Sequence, residues 1–274
     1  MTARPAPVPD ALAAEYAYRT AAAGGRWHAL VTVRGEPVVE QDVAAVVAAA
    51  SVQKVAVAAA ALAAVDAGTL ALTDTVELTG DAVLGGAGSL HLQAAYGDRL
   101  TLAHLVVALV QGSDNTAVRL LGRLLPGPRI NDFLAAQGFR HTRVEPVDGS
   151  RFLLGTTTAA ETHTLLTRLA DGTLLSGPSG AALLRAMRWW QPGYCDGVRR
   201  DLSSRQRHRV AVKHGADEDN RHEVGIVYDT DDVPAATFVF LADRLAEPDD
   251  YAGTHPAVRA HAALGRALIT AVDG

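Results

Sequence analysis

A chain of 274 residues that is 49% hydrophobic can bury one large core or two intimate subdomains, which excludes a disordered or fibrous protein. The net charge of −5 is dispersed over both signs without a like-charge run, which argues against a nucleic-acid or membrane-surface partner. The single cysteine, Cys195, excludes an internal disulfide and any cysteine-based metal cluster.

The first residues, MTARPAPVPDALAAEYAYR, hold prolines and early charges where a signal peptide would have an apolar core, so the expected location is cytoplasmic. RWHALVTVRGEPVVEQ, 26–41, gives two β-rich runs about a Gly-Glu turn and predicts a hairpin. Ala44–Val65 is long enough to cross a bilayer, but its alanines and the central Gln53-Lys54 pair predict a buried helix. That helix is read over Ser51–Ala67 and closes at Gly68, a residue suited to a left-handed cap. Residues 72–98, rich in Gly, Thr and Asp, read as mostly loop.

Leu100–Leu125 reads as two helices broken around Gly112, and further helices fit Arg129–Gln137, Thr158–Ala170 and Gly180–Trp190. Trp189 and Trp190 at the end of the last of these are assigned to the core. RVEPVDGSRFLLG, 143–155, reads as a polar loop. RVAVKHG, EVGIVYD and AATFVFLAD are strand-like runs joined by charged turns, and a helix over Thr254–Val272 finishes the chain. The order is a hairpin, a block of helices, three strands and a helix. Two early and three late strands can meet in one antiparallel sheet with the helical block inserted between them.

Ser51 and Lys54 lie at i and i+3, on one helix face. A lysine there either snorkels out of a surface helix or stays buried, where an apolar surround lowers its pKa and a neutral amine can take the serine's proton. Two further triplets decide the interest of the pair: Ser113-Asp114-Asn115 at the helix break, and Lys213-His214-Gly215 at the end of a strand. Ser-x-x-Lys, Ser-Asp-Asn and Lys-Thr-Gly in this order resemble the class A β-lactamases and penicillin-binding proteins. GTTTAAETHTLLTRLADGTLLS also looks like that family's Thr-rich helix, so the resemblance runs over most of the chain.

The resemblance implies an α/β fold of the α+β type: a class A β-lactamase-like domain over 1–274, with an antiparallel five-stranded sheet flanked by terminal helices and an inserted all-helical subdomain. The sheet subdomain is expected over 1–46 and 200–274 and the helical one over 47–199, with the site in the cleft between them. Carried across, Ser51 is the acylated nucleophile, Lys54 its general base or proton relay, and Ser113 passes protons to the leaving nitrogen. Asn115 bonds the substrate amide and Lys54, and Lys213 holds a substrate carboxylate. The amides of Ser51 and Ala216, the residue after Gly215, form the oxyanion hole.

Two departures stand out. His214 occupies a position where the family has Thr or Ser, which argues for altered specificity. Glu145-Pro146 matches the start of the family's Glu-Pro-x-x-Asn loop, but Gly149 stands at the Asn position, so Glu145 is a candidate base for water with a partner missing. Arg199 or Arg200 is read either as a guanidinium for a carboxylate or as a solvated surface residue, and Tyr96 as a cleft flank or a residue packed under a loop. The ten histidines show no ligand spacing, so neither metal nor cofactor is expected.

Three functions follow: a serine hydrolase of β-lactamase type acting on an amide or lactam; a cytoplasmic biosynthetic acyltransferase, amidase or esterase; or a protein that binds a β-lactam or peptide without turnover. In each, the partner is a small molecule (β-lactam, amide or ester) and the chain is a monomer.

Overall fold

The computed structural model describes residues 8–93, 95–189 and 197–274. Helix α1 (Val8–Ala23) leads into strands β1 (Arg26–Val33) and β2 (Glu36–Gln41), and the short β3 (Val47–Ala48) precedes α2 (Gln53–Asp66). Strands β4 (Thr75–Glu77) and β5 (Arg99–Thr101) bracket a long loop, followed by α3 (Leu102–Gln111), α4 (Asn115–Leu124) and α5 (Gly127–Ala136). Next come β6 (Arg143–Asp148), β7 (Arg151–Thr157), α6 (Ala159–Ala170), α7 (Gly177–Arg188) and the single turn α8 (Ser204–Arg207). Strands β8 (Val210–Asp217), β9 (Asn220–Tyr228) and β10 (Pro234–Asp243) and helix α9 (Pro256–Asp273) complete the chain.

The chain divides into two compact units. One comprises Met1–Val47, Thr158–Thr167 and Arg188–Gly274, the other Ala48–Thr157 and Arg168–Met187. In the first, the two early and three late strands form one antiparallel five-stranded sheet in the order β2-β1-β10-β9-β8. Strands β9 and β10 are buried nearly end to end; β10 and the second half of β9, Val224–Tyr228, are accordingly apolar runs and not clean alternations, while β9 begins with the buried polar residues Asn220, Arg221, His222 and Glu223. Tyr16 of α1 stacks on Phe240 of β10 with centroids 6.0 Å apart, and Trp27 of β1 meets His261 of α9 edge-on at 5.4 Å, so aromatic rings join both terminal helices to the sheet.

In the second unit α2 is buried on all sides from Gln53 to Leu62 and packs against α3 and α5. Its alanines supply little volume and let these neighbours approach closely.

Several elements differ from the sequence reading. Local pattern places no helix before the first strand, but Val8–Ala23 forms one of the terminal helices that the family resemblance implied, anchored by Leu12 and Tyr16 one turn apart. The β1–β2 turn falls on Arg34 and Gly35, one residue earlier than expected; both have positive φ, 50° and 87°, as the tight hairpin turn whose twist matches its strands requires. Residues 143–155 are not a loop. They belong to the β6–β7 hairpin, with Val144 buried and its N–H and C=O bonded at 2.9 Å to the Asn131 side chain of α5. A side chain thus completes the hydrogen bonding of a strand too polar to show alternation.

Trp189 is 60% exposed and not a core residue; Trp190 and Cys195 lie outside the described residues. Among the described residues no helix is long and apolar enough to cross a membrane.

Candidate active site

Ser51 sits in a 3₁₀ turn, Ala50–Val52, that runs directly into the N-terminus of α2. Helix N-termini leave backbone N–H groups without intrahelical partners and carry a partial positive charge, so the start of α2 suits a developing oxyanion. Ala50, just before the serine, has φ 43°, a left-handed conformation that costs a non-glycine residue about 1 kcal/mol or more. It is held by the neighbouring backbone, where the Ala49 N–H donates to the Gly155 carbonyl at 3.0 Å.

Lys54 does not snorkel. It is completely buried in the first turn of α2, and its Nζ donates to the Ser113 carbonyl at 2.5 Å, to Ser113 Oγ at 3.3 Å and to Asn115 Oδ1 at 2.8 Å. Burial among alanine and valine side chains lowers its pKa to about 7, and the nearby Asp114 carboxylate opposes that fall. An amine balanced this way gives up its proton near neutral pH.

Ser113 itself has φ 52°, and this left-handed turn after Gly112 aims both its carbonyl and its hydroxyl at Lys54. Asp114 caps α4, its Oδ1 accepting from the Ala117 N–H at 2.8 Å, while Oδ2 accepts from the Ser89 and Leu90 N–H groups at 2.7 and 2.8 Å. Asn115 donates from Nδ2 to the Gly85 carbonyl at 2.9 Å. The Ser-Asp-Asn triplet therefore straps the 85–90 loop to the Lys54 pocket. Asp114 and Gly88 were not assigned to the site from sequence: Gly88 has φ 88°, and a Cβ there would lie 2.1 Å from Asp114 Oδ2. The run Gly85-Gly86-Ala87-Gly88 was the available signal.

Glu145 lies on β6 opposite Leu153, with its side chain exposed.

In the first unit, Lys213 on β8 is 1% exposed and its Nζ donates to the His214 carbonyl at 2.6 Å. His214 and Ala216 are half-buried and Gly215 is buried. Strand β8 ends the sheet, so alternate backbone groups along it face away from β9, as an acceptor-binding edge requires. Half-buried Arg199 donates to the Trp189 carbonyl at 3.3 Å, and exposed Arg200 donates to the Gly253 carbonyl. Tyr96 is 57% exposed. Among the described residues no three His, Cys, Asp or Glu side chains are arranged to hold a metal ion.

Residues 12–272 match the beta-lactamase enzyme family. The chain belongs to that family. Its fold is similar to a β-lactamase from Xanthomonas campestris pv. campestris, with TM-score 0.81 and 25% identity over 95% of this chain and 97% of the other. A β-lactamase from Sphaerobacter thermophilus gives TM-score 0.80 and 24% identity, over 94% and 96%. A point mutant of PBP-A, in an acyl-enzyme complex with penicillin G, gives 0.74 and 18%, over 95% and 96%. No curated protein matches the sequence. Family membership makes the chain a β-lactamase-like serine hydrolase acting on small molecules.

Proposed function

We propose that this hydrolase attacks an amide or lactam through an acyl-Ser51 intermediate. The observation that carries the reading is the buried Lys54 amine, whose pKa of about 7 makes it a base at neutral pH. Neutral Lys54 takes the Ser51 hydroxyl proton as Oγ attacks the carbonyl carbon. The backbone N–H groups of Ser51 and Ala216 receive the oxyanion, and the carbon–nitrogen bond then breaks, Ser113 relaying the proton from Lys54 to the leaving nitrogen. Asn115 orients the substrate amide, while Lys213, with His214 and Gly215 beside it and Arg199 as a further guanidinium, holds an anionic substrate group.

Intact-protein mass spectrometry after mixing with penicillins, cephalosporins, simple esters and D-amino-acid peptides tests this. A covalent adduct on the wild type and none on Ser51→Ala is the expected result; no adduct with any of the panel overturns the reading.

A second reading is acyl transfer to an amine. It is favoured by the exposure of Glu145 on a strand and by Gly149 at the family's Asn position, since a base for hydrolytic water has to be held and partly desolvated. An adduct that persists in water and is released by an added amine supports it.

A further inference from the structure

Helix α4 turns one face toward the irregular segment that runs from β4 to the Lys54 pocket. Thr116, Arg119 and Arg123, spaced three and four residues apart, share that face. They bond the segment in order. Arg123 donates to the Glu77 carbonyl, to Thr79 Oγ1 and to Asp81 Oδ2 at 3.2, 2.9 and 2.7 Å, and Arg119 donates to the Asp81 and Val83 carbonyls at 3.3 and 3.4 Å. Thr116 takes the last place, nearest the residues that reach Lys54.

Thr116 is fully buried, and its hydroxyl accepts from the Leu84 N–H at 3.0 Å and donates to the Leu84 carbonyl at 3.1 Å. One side chain thus exchanges two bonds with one residue, as the facing residue of an antiparallel strand does with its backbone. The next carbonyl, that of Gly85, accepts from Asn115 Nδ2 at 2.9 Å, while Asn115 Oδ1 accepts from Lys54 Nζ at 2.8 Å. A carbonyl only accepts, so the Gly85 oxygen fixes which way the Asn115 amide is turned and directs Oδ1 at the lysine. Gly86 lets the segment come this close, since a Cβ there would lie 3.2 Å from Asn115 Nδ2. The Gly85 carbonyl is only as well placed as the residue before it. The arginines release the segment at Val83, and Thr116 fixes Leu84.

We propose that Thr116 is a positioning residue of the Ser51 centre: by clamping Leu84 it holds the Gly85 carbonyl against Asn115 and so keeps Asn115 Oδ1 on Lys54. Its effect on turnover rests on the acyl-Ser51 reading, whereas its hold on the acceptor of Lys54 does not.

The test follows the Lys54 side chain of the full chain by ¹³C NMR against pH in Thr116→Val, which keeps the shape and loses the hydroxyl, and in Thr116→Ser, which keeps the hydroxyl. An acceptor on the ammonium favours its charged form, so the Lys54 midpoint is expected to fall by about half a pH unit or more in Thr116→Val and to stay at the wild-type value in Thr116→Ser. An unmoved midpoint in Thr116→Val, or an equal fall in both variants, overturns the proposal, because a threonine that only stabilises the fold lowers Tm without touching Lys54. Acylation of Ser51 is expected to slow about tenfold in Thr116→Val and to recover in Thr116→Ser. If even the wild type forms no adduct, the acyl-Ser51 reading fails and the Lys54 midpoint still decides this one. Hydrogen exchange of the wild type decides where Thr116→Val does not fold: the Leu84 amide is expected to exchange about a hundredfold more slowly than an unbonded one, and free exchange there overturns the clamp.

Discussion

Two lysines of this protein are buried to almost the same extent, and their surroundings differ in kind. Lys54 lies on a helix whose alanines and valines give it no polar contact, and it reaches oxygens supplied by the Ser113-Asp114-Asn115 turn. Lys213 lies on an edge strand and bonds the carbonyl of its own neighbour, His214. In the proposed function the first arrangement serves as a proton exchanger, an amine held between desolvation and a ring of acceptors. The second places an amine next to backbone groups that face away from the sheet. Burial alone therefore does not assign a lysine's role; what matters is whether its partners let the proton leave.

Replacing Lys54 by Met breaks the contrast most severely. Acylation of Ser51 is expected to fall by ~10³-fold, within the range for loss of a general base, measured as the rate of adduct formation by mass spectrometry. Stability carries an independent signature. Folded Lys54 titrates at about 7 and the unfolded side chain near 10.5, so between these values the unfolded state binds the extra proton and stability rises with pH. Below 7 both states are protonated and Lys54 adds no slope. Urea denaturation at pH 6.5, 8 and 9.5 is expected to show this rise in the wild type and a smaller one in Lys54→Met.

Gly88→Ala tests whether the loop strapped by Asp114 is as closely fitted as the distances require. A Cβ 2.1 Å from the carboxylate, at φ 88°, is expected to cost ~3 kcal/mol, read as a Tm several degrees lower. Asp114→Asn is expected to cost ~2 kcal/mol, because an amide group must face the Ser89 and Leu90 N–H groups with at least one donor fewer matched. It also removes the charge that raises the Lys54 pKa, so the acid limb of the acylation profile should move to lower pH. An unmoved limb would show that Asp114 acts only as a cap and strap. Lys213→Met, by contrast, is expected to weaken kcat/KM by ~10-fold or more for substrates with a carboxylate and to leave neutral esters nearly unaffected, with no change in the acid limb.

The sheet strands were legible because β8, β9 and β10 are apolar or alternating runs with charged turns between them, and α2 because its composition leaves no other way to bury it. The three motif triplets were legible as well, since their spacing survives in a single chain. What the sequence concealed depends on contacts distant along the chain. Helix α1 has a short apolar stripe that only the aromatic cluster of β1, β10 and α9 makes sense of. The β6–β7 hairpin is completed by Asn131, a side chain on another element. The left-handed backbone at Ala50 and Ser113 follows no composition rule, because both are ordinary residues held in that conformation by the structure around them.

Glu145 supplies the smallest expected effect and bears on the same contrast between a group held for proton transfer and one left to water. Its carboxylate stands exposed on β6, whereas Lys54 is enclosed and bonded three ways. A base that activates one particular water must hold that water against bulk exchange, which an exposed side chain does not do. Glu145→Gln is therefore expected to change both the acylation rate and the lifetime of the acyl-enzyme by less than about threefold, within the small free-energy range of a surface substitution. The measurement is adduct intensity against time after excess reagent is removed. A lifetime lengthened a hundredfold or more would instead assign the hydrolytic water to Glu145, and would remove the main reason for considering an amine as the acyl acceptor.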